Sequence, residues 1–117
     1  MTEMQNKRIS INVGGTKYET TIQTLNNDPA GLLSRMISAD SPMKPYEVDN
    51  LYTYFIDRDP RHFRFVLNYL RNINFVSMAR LLPAGTAVLE EILVEAKYYQ
   101  LAGLQKLCER KIQEYNY

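Results

Sequence analysis

Only one cysteine and one histidine occur in this 117-residue chain, and there is no tryptophan. A single thiol, Cys108, rules out an internal disulfide framework and any cysteine-rich zinc site, and it suits a reducing compartment. His62 has no second histidine to join it, so a metal centre lacks ligands and the residue reads as a solvated surface side chain. No apolar run approaches the roughly eighteen residues of a membrane span, and Met1 to Ser10 lacks the pattern of a signal peptide. The chain is therefore expected to be soluble and cytoplasmic, without membrane contact. Neither sign of charge dominates: fourteen Lys and Arg against thirteen Asp and Glu leave a formal net charge of +1. That balance carries no electrostatic footprint for nucleic acid. Glycine is sparse too. Its one adjacent pair, Gly14-Gly15, lies outside any Gly-x-x-x-x-Gly-Lys-Ser/Thr cradle and precedes a strand pattern, which argues against phosphate binding. No cofactor is implied.

What is present fills one domain. Met1 to Asn6 is polar and reads as a disordered tail, leaving residues 7–117 for the domain. Ile9, Ile11 and Val13 alternate with Ser10 and Asn12 as a strand, which Gly14-Gly15 stops and Lys17 to Thr21 answers as a hairpin. Thr21 to Asn27 predicts one or two helical turns with Leu25 inward. Leu32, Leu33, Met36 and Ile37 form the apolar face of a short helix opening near Pro29. Ser38 to Asn50, with Ser41-Pro42 and Lys44-Pro45, has neither period and reads as a surface loop. Asn72 to Gly85 is mixed, but Phe75, Val76, Met78, Leu81 and Leu82 are too apolar for an idle connection. Thr86 is placed to cap a helix burying Leu89, Ile92, Leu93, Ala96 and Tyr99, and Leu101 to Tyr117 forms a last helix with Leu104, Leu107, Cys108 and Ile112 in register. Strands early and helices late predict an α+β domain, a small mixed sheet flanked by helices.

The stretch Tyr54 to Arg71 organises the rest. Tyr54-Phe55-Ile56 reads as a strand, Asp59-Pro60 as a helix start, and Phe63, Val66, Leu67 and Leu70 as one buried stripe. Arg61, Arg64, Asn68 and Arg71 are left for solvent or a partner. As chemistry the stretch offers little. Asp57 and Asp59 resemble a carboxylate pair, yet Asp59 is better used as a helix cap and Asp57 beside Arg58 or a backbone amide. Cys108 sits among leucines that would raise its pKa, as in a structural thiol. The nine tyrosines point elsewhere, because tyrosine is enriched in interfaces. Tyr69 and Tyr98 fall off the main apolar stripes and need another home.

"YFIDRDPRHFRFVLNYLR" resembles the signature segment of the potassium-channel tetramerisation type of BTB/POZ domain, and especially that of the soluble KCTD-like proteins. Ile9-Ser-Ile-Asn-Val-Gly-Gly-Thr-Lys-Tyr18 before it and Glu95-Ala-Lys-Tyr-Tyr-Gln-Leu101 after it fit the same family in order and spacing. The resemblance covers roughly Lys7 to Lys111. It implies a BTB/POZ fold and a non-enzymatic domain that self-associates into a ring of four or five copies. The subunit contact it implies draws on Arg58, Asp59, Arg61, Asn68 and Arg71, with Tyr69 and Tyr98. Similar proteins are adaptors whose BTB domain binds the amino-terminal part of a cullin-3 scaffold, while a separate carboxy-terminal region selects the protein to be ubiquitinated. This chain lacks such a region and is expected to be an excised module or a member reduced to the assembly part. Met36, Ile37, Met43, Tyr46 and Phe75 are the expected cullin-facing residues.

Three alternatives compete with the adaptor. A cytoplasmic tetramerisation domain of a voltage-gated potassium channel shares the fold, but many of these hold zinc through a histidine and clustered cysteines, where this chain has only Cys108. A small enzyme would need Cys108 or the aspartate pair, and nothing names its substrate. Transcriptional repression through BTB dimers would call for extra elements before the first strand.

Overall fold

Alternation in the first hairpin sets the inner face of the sheet. The computed structural model describes residues 6–73 and 78–116, and the side chains of 78 and 79 lie outside that description. Strand β1 (Arg8–Val13) turns through Gly14 and Gly15, both at positive φ, into β2 (Thr16–Thr21), paired antiparallel from Arg8↔Thr21 to Val13↔Thr16. Ile9, Ile11 and Val13 point inward and are buried. β1 also pairs in parallel with β4 (Leu51–Ile56), from Ser10↔Thr53 to Val13↔Ile56, and β3 (Tyr46–Val48) closes the order β2-β1-β4-β3. A parallel pair requires a crossover, and two short helices supply it: α1 (Ile22–Leu25), capped by Thr21, and α2 (Leu32–Met36).

Three longer helical pieces cover the inner face. A 3-10 turn at Pro60–His62 runs into α3 (Phe63–Arg71), whose Phe63, Val66, Leu67 and Leu70 are buried as their spacing predicts. A second 3-10 turn (Met78–Leu81) precedes α4 (Thr86–Tyr98) and α5 (Ala102–Tyr115). Gln100, at φ 56, ends α4, and the Leu101 amide reaches back to the Ala96 carbonyl at 2.9 Å. That pattern is the left-handed helix stop. Buried Leu89, Ile92, Ala96 and Tyr99 of this segment and Leu104 and Cys108 of α5 complete the core, and Leu93, Leu107 and Ile112 pack half-buried against it.

The structure corrects several local expectations. The segment 38–50 is not all loop: Tyr46–Val48 is an edge strand, joined to β4 through Asp49 and Asn50 at φ 51 and 66. β4 begins at Leu51, three residues before the aromatic run. α2 begins after Gly31, not at Pro29, and Gly85 at φ 107, not Thr86, caps α4. The connection before α4 packs down through Leu82, whose carbonyl accepts from Lys111 Nζ at 3.0 Å, while Leu81 stays exposed. Phe75, Val76 and Met1 to Gln5 lie outside the described residues.

Candidate interaction surfaces

The junction from β4 into α3 is pinned from below. The Ile56 carbonyl accepts from both Gly14 N at 2.9 Å and Arg58 N at 3.0 Å. A Cβ on Gly14 would stand 2.3 Å from the Arg58 carbonyl oxygen, so the hairpin turn can approach this closely only as glycine. From the other side Tyr18 donates its hydroxyl to the Pro60 carbonyl at 3.0 Å and packs its ring on Phe63. Asp59 Oδ1 accepts from Arg61 N at 2.9 Å, the cap the sequence predicts, with Pro60 first in the turn.

The side chains projecting from this junction meet α4. Arg58 forms a fork on Glu95, Nε to Oε1 at 3.3 Å and Nη2 to Oε2 at 2.5 Å, and its guanidinium lies 4.3 Å from the centre of the Tyr98 ring. Hydrogen bonding to Glu95 raises the Arg58 pKa further, so its charge is permanent. Arg61 lies 3.7 Å from Asp59 and 3.8 Å from Glu91, and His62 Nε2 sits 2.7 Å from the same Glu91 carboxylate. Together with Val94, which is 55% exposed, these groups line a shallow polar hollow. His62 is thus not the solvated residue expected: its side chain is only 13% exposed and has a carboxylate partner. Glu91 and Glu95 share a helix face by their spacing of four, and sequence reasoning left that pair out.

The seven residues expected at the subunit contact do not fall together. Arg58, Asp59, Arg61 and Tyr98 form the cluster just described. Arg71 stands at the other end of α3, donating to the Glu19 carbonyl at 3.2 Å in a hollow shared with Arg8, Thr21 and Thr24. Asn68 is half-buried one turn before it. Tyr69 must be withdrawn from the surface. It is 6% exposed, packed so close to Gly103 that a Cβ there would come 2.1 Å from its hydroxyl oxygen.

A second feature is an apolar cleft of about 570 Å³ between α2, the segment after it, the end of β4 and Tyr98. The Leu32 amide donates to the Tyr99 carbonyl at 2.8 Å, which holds α2 against the end of α4 and so fixes two walls. Met36 and Met43 line the cleft, but Met36 is mostly core at 6% exposure and Met43 is half-buried. Ile37 packs half-buried nearby, and among the described members of the expected cullin-facing set only Tyr46 is openly exposed, its hydroxyl accepting from Asn12 Nδ2 at 3.4 Å. Phe75 lies outside the described residues. Phe55 was missed, although its place between inward Tyr54 and Ile56 turns it to the outer face, where it is 45% exposed and lines the cleft.

Burial answers the catalytic alternatives in part. Cys108 is fully buried and its thiol pKa is pushed up to about 11 by burial, then by Glu109, the opposite of an activated nucleophile. Asp59 is committed to its cap. Among the described residues no helix is long and apolar enough to cross a membrane.

Residues 9–108 match the family model of the BTB/POZ domain. Over 108 residues the chain is 42% identical to the BTB/POZ domain-containing protein KCTD5 of Homo sapiens, covering 92% of this chain and 43% of that protein. It is 36% identical over 111 residues to the BTB/POZ domain-containing adapter for CUL3-mediated RhoA degradation protein 1 of Danio rerio, covering 95% of this chain and 31% of that one. The corresponding protein 2 of Homo sapiens is 33% identical over 109 residues, with 93% and 32% covered. The chain spans less than half the length of these relatives. With its mixed four-stranded sheet, its helical second half and this match, the chain belongs to the BTB/POZ family, in the potassium-channel tetramerisation type shared with the KCTD proteins.

Proposed function

We propose that this chain is a non-enzymatic assembly domain that closes with copies of itself into a ring of four or five, and that the ring acts in the cytoplasm as an adaptor for a cullin-3 ubiquitin-ligase scaffold. The observation that carries the assembly is the exposed group of opposite charges where the turn before α3 meets α4, Asp59 and Arg61 from the turn and Glu91 from α4, set beside exposed Val94 and Tyr98. Paired charges in high dielectric add little to the stability of one subunit, whereas facing another copy they fix register. A ring repeats one heterologous contact, so it needs two different faces. The Arg71, Arg8 and Glu19 group at the far end of α3, with Asn68 beside it, serves as the second. The adaptor role is supported by the names of two relatives, each an adapter for CUL3-mediated degradation. Tyr46, Met43 and the exposed edge of the cleft form the scaffold-facing patch.

The test mixes the purified assembly with the amino-terminal domain of cullin-3 in size-exclusion chromatography with light scattering. Co-elution is expected, lost on Tyr46→Glu while the mass of the assembly itself stays the same. Separate elution at concentrations that would saturate a micromolar complex rejects the scaffold role.

A further inference from the structure

The segment after α2 carries a motif that neither self-assembly nor scaffold contact uses. Of the five prolines in the chain, only Pro42 follows a serine or threonine, and Lys44 stands three places after that serine, giving Ser41-Pro42-Met43-Lys44. Each position gives a protein kinase a chemical reason to select it. Proline has no N–H, so an active site without an acceptor beside the reacting serine takes proline and strands the donor of any other residue. The pyrrolidine ring also biases Ser41 toward extended backbone, the form a peptide takes along a protein groove. The Lys44 ammonium adds a charge that an acidic pocket can read.

The fold leaves this motif open. Residues 41–45 belong to neither helix nor strand, Pro42 and Lys44 are exposed, and Ser41 is half-buried. Short turns hold Ser41: its Oγ accepts from Met43 N at 3.1 Å, its N–H donates to the Ser38 carbonyl at 3.1 Å, and Lys44 Nζ donates to its carbonyl at 3.3 Å. All three contacts are local, so opening them breaks no strand pairing and no core packing. The competing hydroxyls are worse placed. Ser38 precedes an alanine and donates its proton to the Arg35 carbonyl at 2.9 Å, and Ser10 and Ser34 are buried.

We infer that Ser41 is a phosphate acceptor for a proline-directed protein kinase, and that its phosphorylation switches off the scaffold-facing patch. The switch rests on the scaffold reading above; the acceptor site does not. In the transfer Ser41 Oγ attacks the γ-phosphorus of ATP and forms the Oγ–P bond. The bond from that phosphorus to the β–γ bridging oxygen breaks, ADP leaves, and the hydroxyl proton passes to a base of the kinase. The phosphate adds about two negative charges. Ser41 lines the cleft together with Asp40, Asp57 and Arg35, and Arg35 is already engaged, donating to the Gln100 side-chain oxygen. The new charge therefore stands among carboxylates beside half-buried Met43, where a partner can cover it only by stripping its water.

The experiment incubates the intact assembly with a purified proline-directed kinase and ATP, then divides the sample. Mass spectrometry of the whole chain and of its fragments counts and locates the phosphate, and chromatography with the amino-terminal domain of cullin-3 reads the switch. Phosphate is expected at Ser41, arriving about tenfold more slowly on Pro42→Ala and a few-fold more slowly on Lys44→Ala. Phosphorylation should weaken cullin binding by at least about tenfold, and phosphatase treatment should restore it. Kinase treatment of Ser41→Ala should change nothing. Phosphate on Ser38 in place of Ser41, no phosphate at Ser41, or a rate indifferent to Pro42→Ala would overturn the acceptor site. A phosphorylated assembly that binds cullin as well as before overturns the switch alone. If the unmodified assembly does not bind cullin, the scaffold role falls and the switch with it, while phosphate at Ser41 still upholds the acceptor site.

Discussion

Cys108 shows how a residue can be read from its own neighbours. Leucines one turn away in α5 place it in the core, and the structure leaves it fully buried with its pKa moved from 9.0 to about 11. The folded state thus disfavours the thiolate, so its contribution to stability is complete below pH 9 and is lost as pH rises through 11. Tyr54, Tyr69 and Tyr99 are also shifted upward by burial from 10.0, and they join the loss as pH approaches 10. Urea unfolding measured against pH should show stability nearly flat to just below pH 9 and then falling over the next unit by about 1 kcal/mol from the thiol, with the tyrosines adding to it. Cys108→Ala should make the loss over that first unit shallower, leaving the tyrosines' share, and keep the steeper loss beyond it; an unchanged slope would show that the thiol contributes nothing. The Asp59 cap was equally legible, because a cap involves its own next two residues. His62 and Tyr69 were not. Their partners, Glu91 and Gly103, are 29 and 34 positions away, and no local pattern identifies a contact that only helix packing creates.

At the scale of elements, periodic segments were readable and short ones were not. α3 repeats its apolar spacing over nine residues and was placed almost to the residue. β3 has three residues after a proline-containing stretch, too few for alternation to register. Its signal lay in the turn instead: Asp49-Asn50 occupies both central positions at positive φ, the form of hairpin turn that aspartate, asparagine and glycine tolerate. A β-branched residue there would be strained. Asn50→Val should therefore lower stability by roughly 1–2 kcal/mol, while Asn50→Gly should hold or slightly raise it, both measured by thermal unfolding. If valine is tolerated as well as glycine, the hairpin does not constrain the turn, and Tyr46 loses the support that aims it outward.

The whole molecule poses a question of geometry, because a ring and a dimer make different demands on identical subunits. A dimer matches one face with itself; a ring matches the Asp59, Arg61 and Glu91 face of one copy with the Arg71 and Arg8 face of the next. Arg61 and Arg71 are ten residues apart, about 15 Å at helical rise, which is enough to keep the two faces distinct. Arg58, fixed on Glu95 with side chains only 28% and 12% exposed, is a poor probe of this contact. Reversing it would strand a partly buried carboxylate and damage the subunit itself. Arg61 is 66% exposed, so Arg61→Glu should leave the fold intact and spoil one face, and Arg71→Glu should spoil the other. Each variant alone should lose the mass of the ring in light scattering. Mixed in equal amounts, they should recover one good contact, the intact first face of the Arg71 variant against the intact second face of the Arg61 variant, and then stop, at twice 13.6 kDa. If the mixture stays monomeric, or either variant alone keeps the full mass, the two ends of α3 are not the faces that close the ring.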